Sequence, residues 1–270
     1  MKKVIFSDID GTLIHKLSKE RAFNREVDDL IQVSDENRFI SKKTVDLISK
    51  LRENEAIFIL ITGRRKRGYQ RLAQVIPHDY AVIEHGCVIL ENGDYDQGWL
   101  KNLEPVIGKI GSKTKEGILW DYEQFFRRSG YNTDSNGRLA TFRVYHNAES
   151  QNDLTEEEKV KIELLKHPLG ITTTRNMDML DILPTRGGKL NAMNYLIEKY
   201  AVDLQHTIGL GDDVNDHLML KHVALPMTHN GANKEIKELV NLRKGYVSTF
   251  DSCKATEDML SKILEGVYKS

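Results

Sequence analysis

Asp8 and Asp10 close the segment Val4-Ile5-Phe6-Ser7-Asp8-Ile9-Asp10-Gly11-Thr12-Leu13. A short apolar run reads as a buried strand, and this one ends on two carboxylates one residue apart. Asp and Gly also build ordinary turns, so a strand followed by an Asp-Gly turn is the plain reading of these residues. Two acids at the end of a buried strand are, however, costly to desolvate and repel each other, which points to a cation or a reaction. Three more polar segments follow apolar stretches far away in the chain: Thr62-Gly63-Arg64, Thr185-Arg186-Gly187-Gly188-Lys189 and Gly211-Asp212-Asp213-Val214-Asn215-Asp216. Ligands of open α/β sheets bind at the carboxyl ends of the strands, where such distant segments converge.

The elements that must position them follow from the hydrophobic pattern. Apolar runs at residues 57–61, 81–83, 87–90, 179–183 and 207–210 read as strands, as do 141–145 and 171–174, and 223–225 is a further candidate. Ser41 is an expected N-cap for a helix with Val45, Ile48 and Leu51 on its inner face. Leu190, Met193, Ile197 and Tyr200 give a second helix, residues 155–166 a charged one, and residues 256–268 a closing amphipathic one. Part of the polar stretch 15–38 has Phe23, Val27, Leu30 and Ile31 at helical spacing. Alternating strands and helices imply an α/β fold, a doubly wound, mostly parallel Rossmann-like core sheet. Residues 91–180 carry none of the acidic strand-end motifs and read as an inserted α+β cap domain, leaving 1–90 and 181–270 as the core.

The chain has 270 residues, 40% hydrophobic and 29% charged, with a net charge of −1. That balance gives no reason to invoke nucleic acid or a membrane surface. Two cysteines, Cys87 and Cys253, are too few for a disulfide framework and read as reduced thiols of a cytoplasmic protein. The first apolar run is broken by Asp8 and Asp10, so no signal peptide is expected. Oligomeric state is not legible.

The four segments, in this order, resemble the motifs of the haloacid dehalogenase-like (HAD) phosphohydrolases. The placement of the insert and the run Ile83-Glu84-His85-Gly86 resemble the group of sucrose-phosphate, trehalose-phosphate and mannosyl-phosphoglycerate phosphatases. The resemblance implies that Asp8 is a nucleophile forming an aspartyl-phosphate and Asp10 a general acid/base. It implies that Thr62, Gly63, Arg64 and Asn215 bind phosphate or substrate, and that Lys189 neutralises the nucleophile and the transferring group. It places Asp8, Asp10 and Asp212 on a metal, with Asp216 behind them. An all-oxygen set suits Mg2+, and no Cys/His cluster suggests zinc. Of the basic cluster Arg64, Arg65, Lys66, Arg67 and Arg71, one or two residues are expected to face an anionic ligand or the cap. His85 is expected to fix the core–cap junction, and Arg143, Arg175 and Arg186 are candidates for substrate recognition.

The expected activity is hydrolysis of a small phosphorylated metabolite, a phosphosugar by family. A sugar phosphomutase would share the same residues. A non-catalytic binding protein would have no need for the nucleophile.

Overall fold

A computed structural model of the chain describes residues 2–17, 29–34, 37–110, 115–145, 170–176 and 179–266. The expected helix at 155–166 and the residues Phe23 and Val27 lie outside them.

Fifteen strands are described: β1 (Val4–Ser7), β2 (His15–Lys16), β3 (Leu30–Ser34), β4 (Arg38–Ser41), β5 (Ile57–Ile61), β6 (Tyr80–Ile83), β7 (Val88–Glu91), β8 (Asp94–Tyr95), β9 (Asn132–Asp134), β10 (Phe142–Tyr145), β11 (Ile171–Asn176), β12 (Met179–Pro184), β13 (Thr207–Leu210), β14 (Leu225–His229) and β15 (Tyr246–Ser248). The helices are α1 (Lys42–Glu53), α2 (Lys66–Ala73), α3 (Gln97–Ile107), α4 (Ile118–Arg128), α5 (Lys189–Lys199), α6 (His217–His222), α7 (Lys234–Leu242) and α8 (Ser252–Glu265).

The eight-stranded sheet runs β15-β14-β13-β1-β5-β6-β7-β8. It is parallel from β15 to β6, and β7 and β8 then continue antiparallel. All four residues of β1 are buried, as a central strand covered on both faces requires. The chain leaves β1 toward β5 and β6 on one side and reaches β13, β14 and β15 on the other. Right-handed crossovers therefore send the connecting helices to opposite faces. In keeping with this, α1 packs against α8, and α6 packs against α5 and α7. The strand order reverses beside β1, which opens the crevice where such sheets bind ligands.

A second sheet, antiparallel, runs β11-β12-β10-β9. It includes β12 to Pro184, and the large sheet includes β8 to Tyr95, so the chain changes sheet a few residues later than the expected bounds of 91 and 180.

A third sheet, β2-β4-β3, corrects the reading of the polar stretch after the first motif. Leu30 and Ile31 lie on β3, paired with Ser41 and Ile40, rather than on a helix. Their neighbours Gln32 and Val33 alternate outward and inward, a period of two that the helical count passed over. The strand expected at 223–225 begins at Leu225 and runs to His229. Ser41 does cap α1, its hydroxyl accepting from the Thr44 amide at 3.0 Å.

Candidate active site

Strand register sets the site. Ser7 pairs with Leu60 on one side and Leu210 on the other, so β1, β5 and β13 end level. Asp8, Thr62 and Asp212 thus emerge from three adjacent strand ends. The Asp8 amide donates to the Leu210 carbonyl at 2.9 Å and holds Asp8 in line with the sheet.

Lys189 is the first residue of α5 and is buried. Its ammonium donates to Asp8 Oδ1 at 2.5 Å, Asp216 Oδ1 at 2.6 Å and Asn215 Oδ1 at 3.1 Å. Three expected site residues from two distant motifs thus meet on one cation. Burial alone would lower the Lys189 pKa, but the Asp216 and Asp8 charges outweigh it and raise it, so the ammonium stays charged. The Asp8 carboxyl is pushed well up, first by burial and then by Asp216 and Asp212.

Asp8, Asp212 and Asp216 each place a carboxylate oxygen within 4.8 Å of the others. Three carboxylates face one ammonium, and the donors are all hard oxygens. That set fits a divalent cation such as magnesium. The three acids are not equivalent. Asp216 spends Oδ1 on Lys189 and turns Oδ2 to the Asp212 and Asp213 amides, at 3.1 and 3.3 Å. Asp8 and Asp212 are better placed to hold a cation, with Asp216 behind them. Asp212 is fixed by the Thr12 hydroxyl, which donates to Oδ1 at 2.7 Å. A Cβ on Gly11, whose φ is +90°, would sit 2.1 Å from Asp212 Oδ2, so only glycine lets the two motifs approach this closely. Asp213 caps the short turn at Val214–Asp216 by accepting from the Val214 amide.

Asp10 is not in this carboxylate group. Its Oδ1 accepts from Arg64 Nη2 at 2.6 Å and Arg38 Nη1 at 2.5 Å, and its Oδ2 accepts from Arg64 Nε at 2.6 Å. Burial opposes ionisation here, but the Arg64 hydrogen bonds and the Arg38 charge overcome it and hold the carboxyl below its usual range. The side chain expected on the metal is thus turned to two guanidiniums. Arg38 was not singled out from the sequence. The one available signal was its place at the end of an unusually polar stretch beside the first motif.

Thr62 is buried, and its hydroxyl accepts from the Arg64 amide at 3.1 Å. The helix that follows is capped by Arg65 without a side-chain bond, so the Thr62 hydroxyl is not spent on helix capping. Gly63 packs under His85: a Cβ there would lie 2.3 Å from the imidazole.

Glu84 and His85 both have positive φ, +50° and +57°. Such strain persists only where surroundings hold it. Here it aims both side chains at the second sheet and its neighbours. Glu84 accepts from the Leu139 and Ala140 amides and the Thr141 hydroxyl, at 2.9–3.1 Å. His85 Nε2 bonds Asp181 Oδ2 at 2.7 Å. Arg143, expected to meet substrate, instead grips Asp181 through Nε and Nη2, both at 2.8 Å. Of the basic cluster, Arg65 also reaches the second unit, donating to the Asn136 carbonyl at 2.6 Å. Arg175 lies on β11 opposite Leu180.

Comparison with known proteins finds a matching family and similar folds. The family model described as sucrose-6F-phosphate phosphohydrolase matches residues 1–268. The Thermoplasma acidophilum 0175 protein superposes with a TM-score of 0.67 at 16% identity, covering 98% of this chain and 99% of that one. The sucrose-phosphatase of Synechocystis sp. PCC6803, solved with sucrose and phosphate, gives 0.66 at 18% identity, covering 99% and 97%. BT1666 of Bacteroides thetaiotaomicron, described among phosphatases of the HAD superfamily, gives 0.62 at 18%, covering 99% and 96%. With a family match over almost its whole length, the chain belongs to the sucrose-6F-phosphate phosphohydrolase family, and it is a phosphatase of the HAD superfamily.

Proposed function

We propose that this phosphatase hydrolyses a small phosphorylated metabolite, a phosphosugar by family, through an aspartyl-phosphate on Asp8 and with Mg2+ as cofactor. The observation that carries the reading is Lys189, whose ammonium bridges Asp8 and Asp216 beside Asp212 at the end of the central strand.

In this reading an Asp8 oxygen attacks phosphorus in line as the bond to the ester oxygen breaks, and Asp10 gives that oxygen its proton. Asp10 then takes a proton from water as the water oxygen attacks phosphorus. Inorganic phosphate leaves and the Asp8 carboxylate is restored. Lys189 keeps Asp8 oriented and offsets the charge that gathers on the phosphoryl oxygens, with the Thr62 hydroxyl and the Gly63 amide as further donors. Asn215 and Asp216 fix the ammonium. Asp8 and Asp212 would hold the cation, which supplies positive charge between two anions that otherwise repel. The unit built on β9–β12 serves as a cap that selects substrate. The two buried free cysteines suit a reducing compartment, the cytoplasm.

Acid quenching during turnover of a 32P-labelled ester tests the mechanism. Label should stay on the wild-type protein and be absent from Asp8→Asn. Equal labelling of both would remove the nucleophile from Asp8, and transfer of label to sugar without phosphate release would make the enzyme a mutase.

A further inference from the structure

The end of β14 and the turn into α7, residues 228–233, hold both acidic motifs through backbone carbonyls. The Thr228 hydroxyl donates to the Gly211 carbonyl at 2.7 Å, and the Asn233 amide donates to the Asp212 carbonyl at 2.8 Å. Between them in the chain, His229 reaches the first motif instead. Its Nε2 lies 2.9 Å from the Gly11 carbonyl. A carbonyl only accepts, so Nε2 carries the hydrogen and donates it.

What His229 holds is the bed of the Asp212 carboxylate. A Cβ on Gly11 would lie 2.1 Å from Asp212 Oδ2, and the Thr12 hydroxyl donates to Oδ1 at 2.7 Å. The carboxylate therefore rests on the backbone of Gly11 and is bonded to the residue after it, and a shift of that backbone moves Asp212 too. The Thr12 carbonyl is anchored as well, by the Thr256 hydroxyl at 2.6 Å. His229 itself is buried, and its Nδ1 has no hydrogen-bond partner among the described residues. A buried acceptor left unpaired costs stability. The imidazole is thus a poor choice for packing alone, and what it contributes is the bond to Gly11.

We propose that His229 is a positioning residue for the metal: by fixing Gly11 it holds Asp212 at the spacing from Asp8 at which the two share a divalent cation. The inference rests on the assignment of Asp8 and Asp212 to the metal in the reading above. His229 acts through the Gly11 backbone rather than on the cation, and groups that orient a ligand in this way set metal affinity without touching the ion.

Calorimetric titration of the metal-stripped full chain with magnesium chloride tests this without turnover. His229→Ala should raise the magnesium Kd by about tenfold or more, as for a lost outer partner of a metal ligand. His229→Gln, whose side-chain amide can donate to the same carbonyl, should recover part of the affinity. Thr228→Val, which frees the Gly211 carbonyl, should weaken binding in the same direction. Val240 is buried on α7, so Val240→Ala removes packing from the neighbouring helix. It should lower the melting temperature and leave the Kd unchanged, whereas an affinity loss that merely followed destabilisation would appear there too. An unchanged Kd in His229→Ala, or equal weakening in Val240→Ala, would overturn the proposal. If His229→Ala does not fold, Thr228→Val is judged by the same two criteria. Failure of wild type to bind magnesium would refute the cofactor assignment and the positioning role with it, whereas wild-type binding that His229→Ala leaves intact sinks the positioning role alone.

Discussion

His85 Nε2 lies 2.7 Å from Asp181 Oδ2, joining the turn after β6 to β12 of the second sheet through two fully buried groups. Arg143 clasps the other side of the same carboxylate, and Arg138 lies 3.8 Å away. Burial would raise the Asp181 pKa, but the Arg143 and His85 hydrogen bonds outweigh it and keep the group ionised. The His85 imidazole sits directly over Gly63. The Thr62-Gly63 turn and the second sheet therefore share one buried junction.

Asp181→Asn should accordingly cost about 3–5 kcal/mol, because it leaves buried guanidinium charge without its counter-ion. Urea unfolding measures this. Arg143→Ala should lower stability too and should not alter the ratio of kcat/KM between substrates. A changed ratio with unchanged stability would return Arg143 to the substrate.

Asp10→Asn should slow hydrolysis of an alkyl phosphate by about 10²–10⁴-fold, the usual range for lost proton transfer. With para-nitrophenyl phosphate the loss in the first step should be much smaller, since that leaving group departs without a proton. Equal losses in single-turnover release of alcohol and nitrophenol would assign Asp10 a role other than acid.

The carboxylate group predicts the metal response. Activity should vanish with a chelator and return with magnesium. Asp212→Asn should raise the magnesium concentration needed for half activity by at least about 10–100-fold. Its melting temperature without metal should not fall, because one of three crowded carboxylates is removed. Full activity of metal-stripped enzyme would refute the cofactor assignment.

What the sequence disclosed and what it withheld divide along physical lines. The strands at 4–7, 57–61 and 207–210 are continuous apolar runs closed by polar turns, so both the strands and the residues at their ends could be read directly. The resemblance gave Lys189 the task of neutralising the nucleophile, and its ammonium, at the start of α5, bonds Asp8 and Asp216. Arg38 and Asp181 were not legible as partners. Each is paired with residues 28 to 96 positions away, and no local period carries such pairing. Arg143 shows the converse error. An arginine in a strand suggests recognition by type alone, but antiparallel register sets it opposite Asp181.

The last prediction concerns pH and the two histidines behind the first motif. His15 Nε2 bonds the Thr256 hydroxyl at 2.8 Å, which donates to the Thr12 carbonyl at 2.6 Å. His229 Nε2 bonds the Gly11 carbonyl at 2.9 Å, and the two rings meet edge to face. Burial and then the neighbouring His229 push the His15 pKa down to about 3, from an ordinary 6.5. His229 is lowered as well, again first by burial. Between these values the unfolded chain binds a proton that the folded one refuses. Folding stability is therefore complete above pH 6.5 and is lost as pH falls, by about 1.4 kcal/mol per pH unit for one such histidine. Urea unfolding at pH 7.5 and 5.5 should show a smaller drop in His15→Gln than in wild type, by about 1 kcal/mol. Each protein serves as its own reference, so a variant destabilised overall still reports the difference, and carboxylates common to both cancel. Equal drops would mean that His15 carries its proton in the folded state.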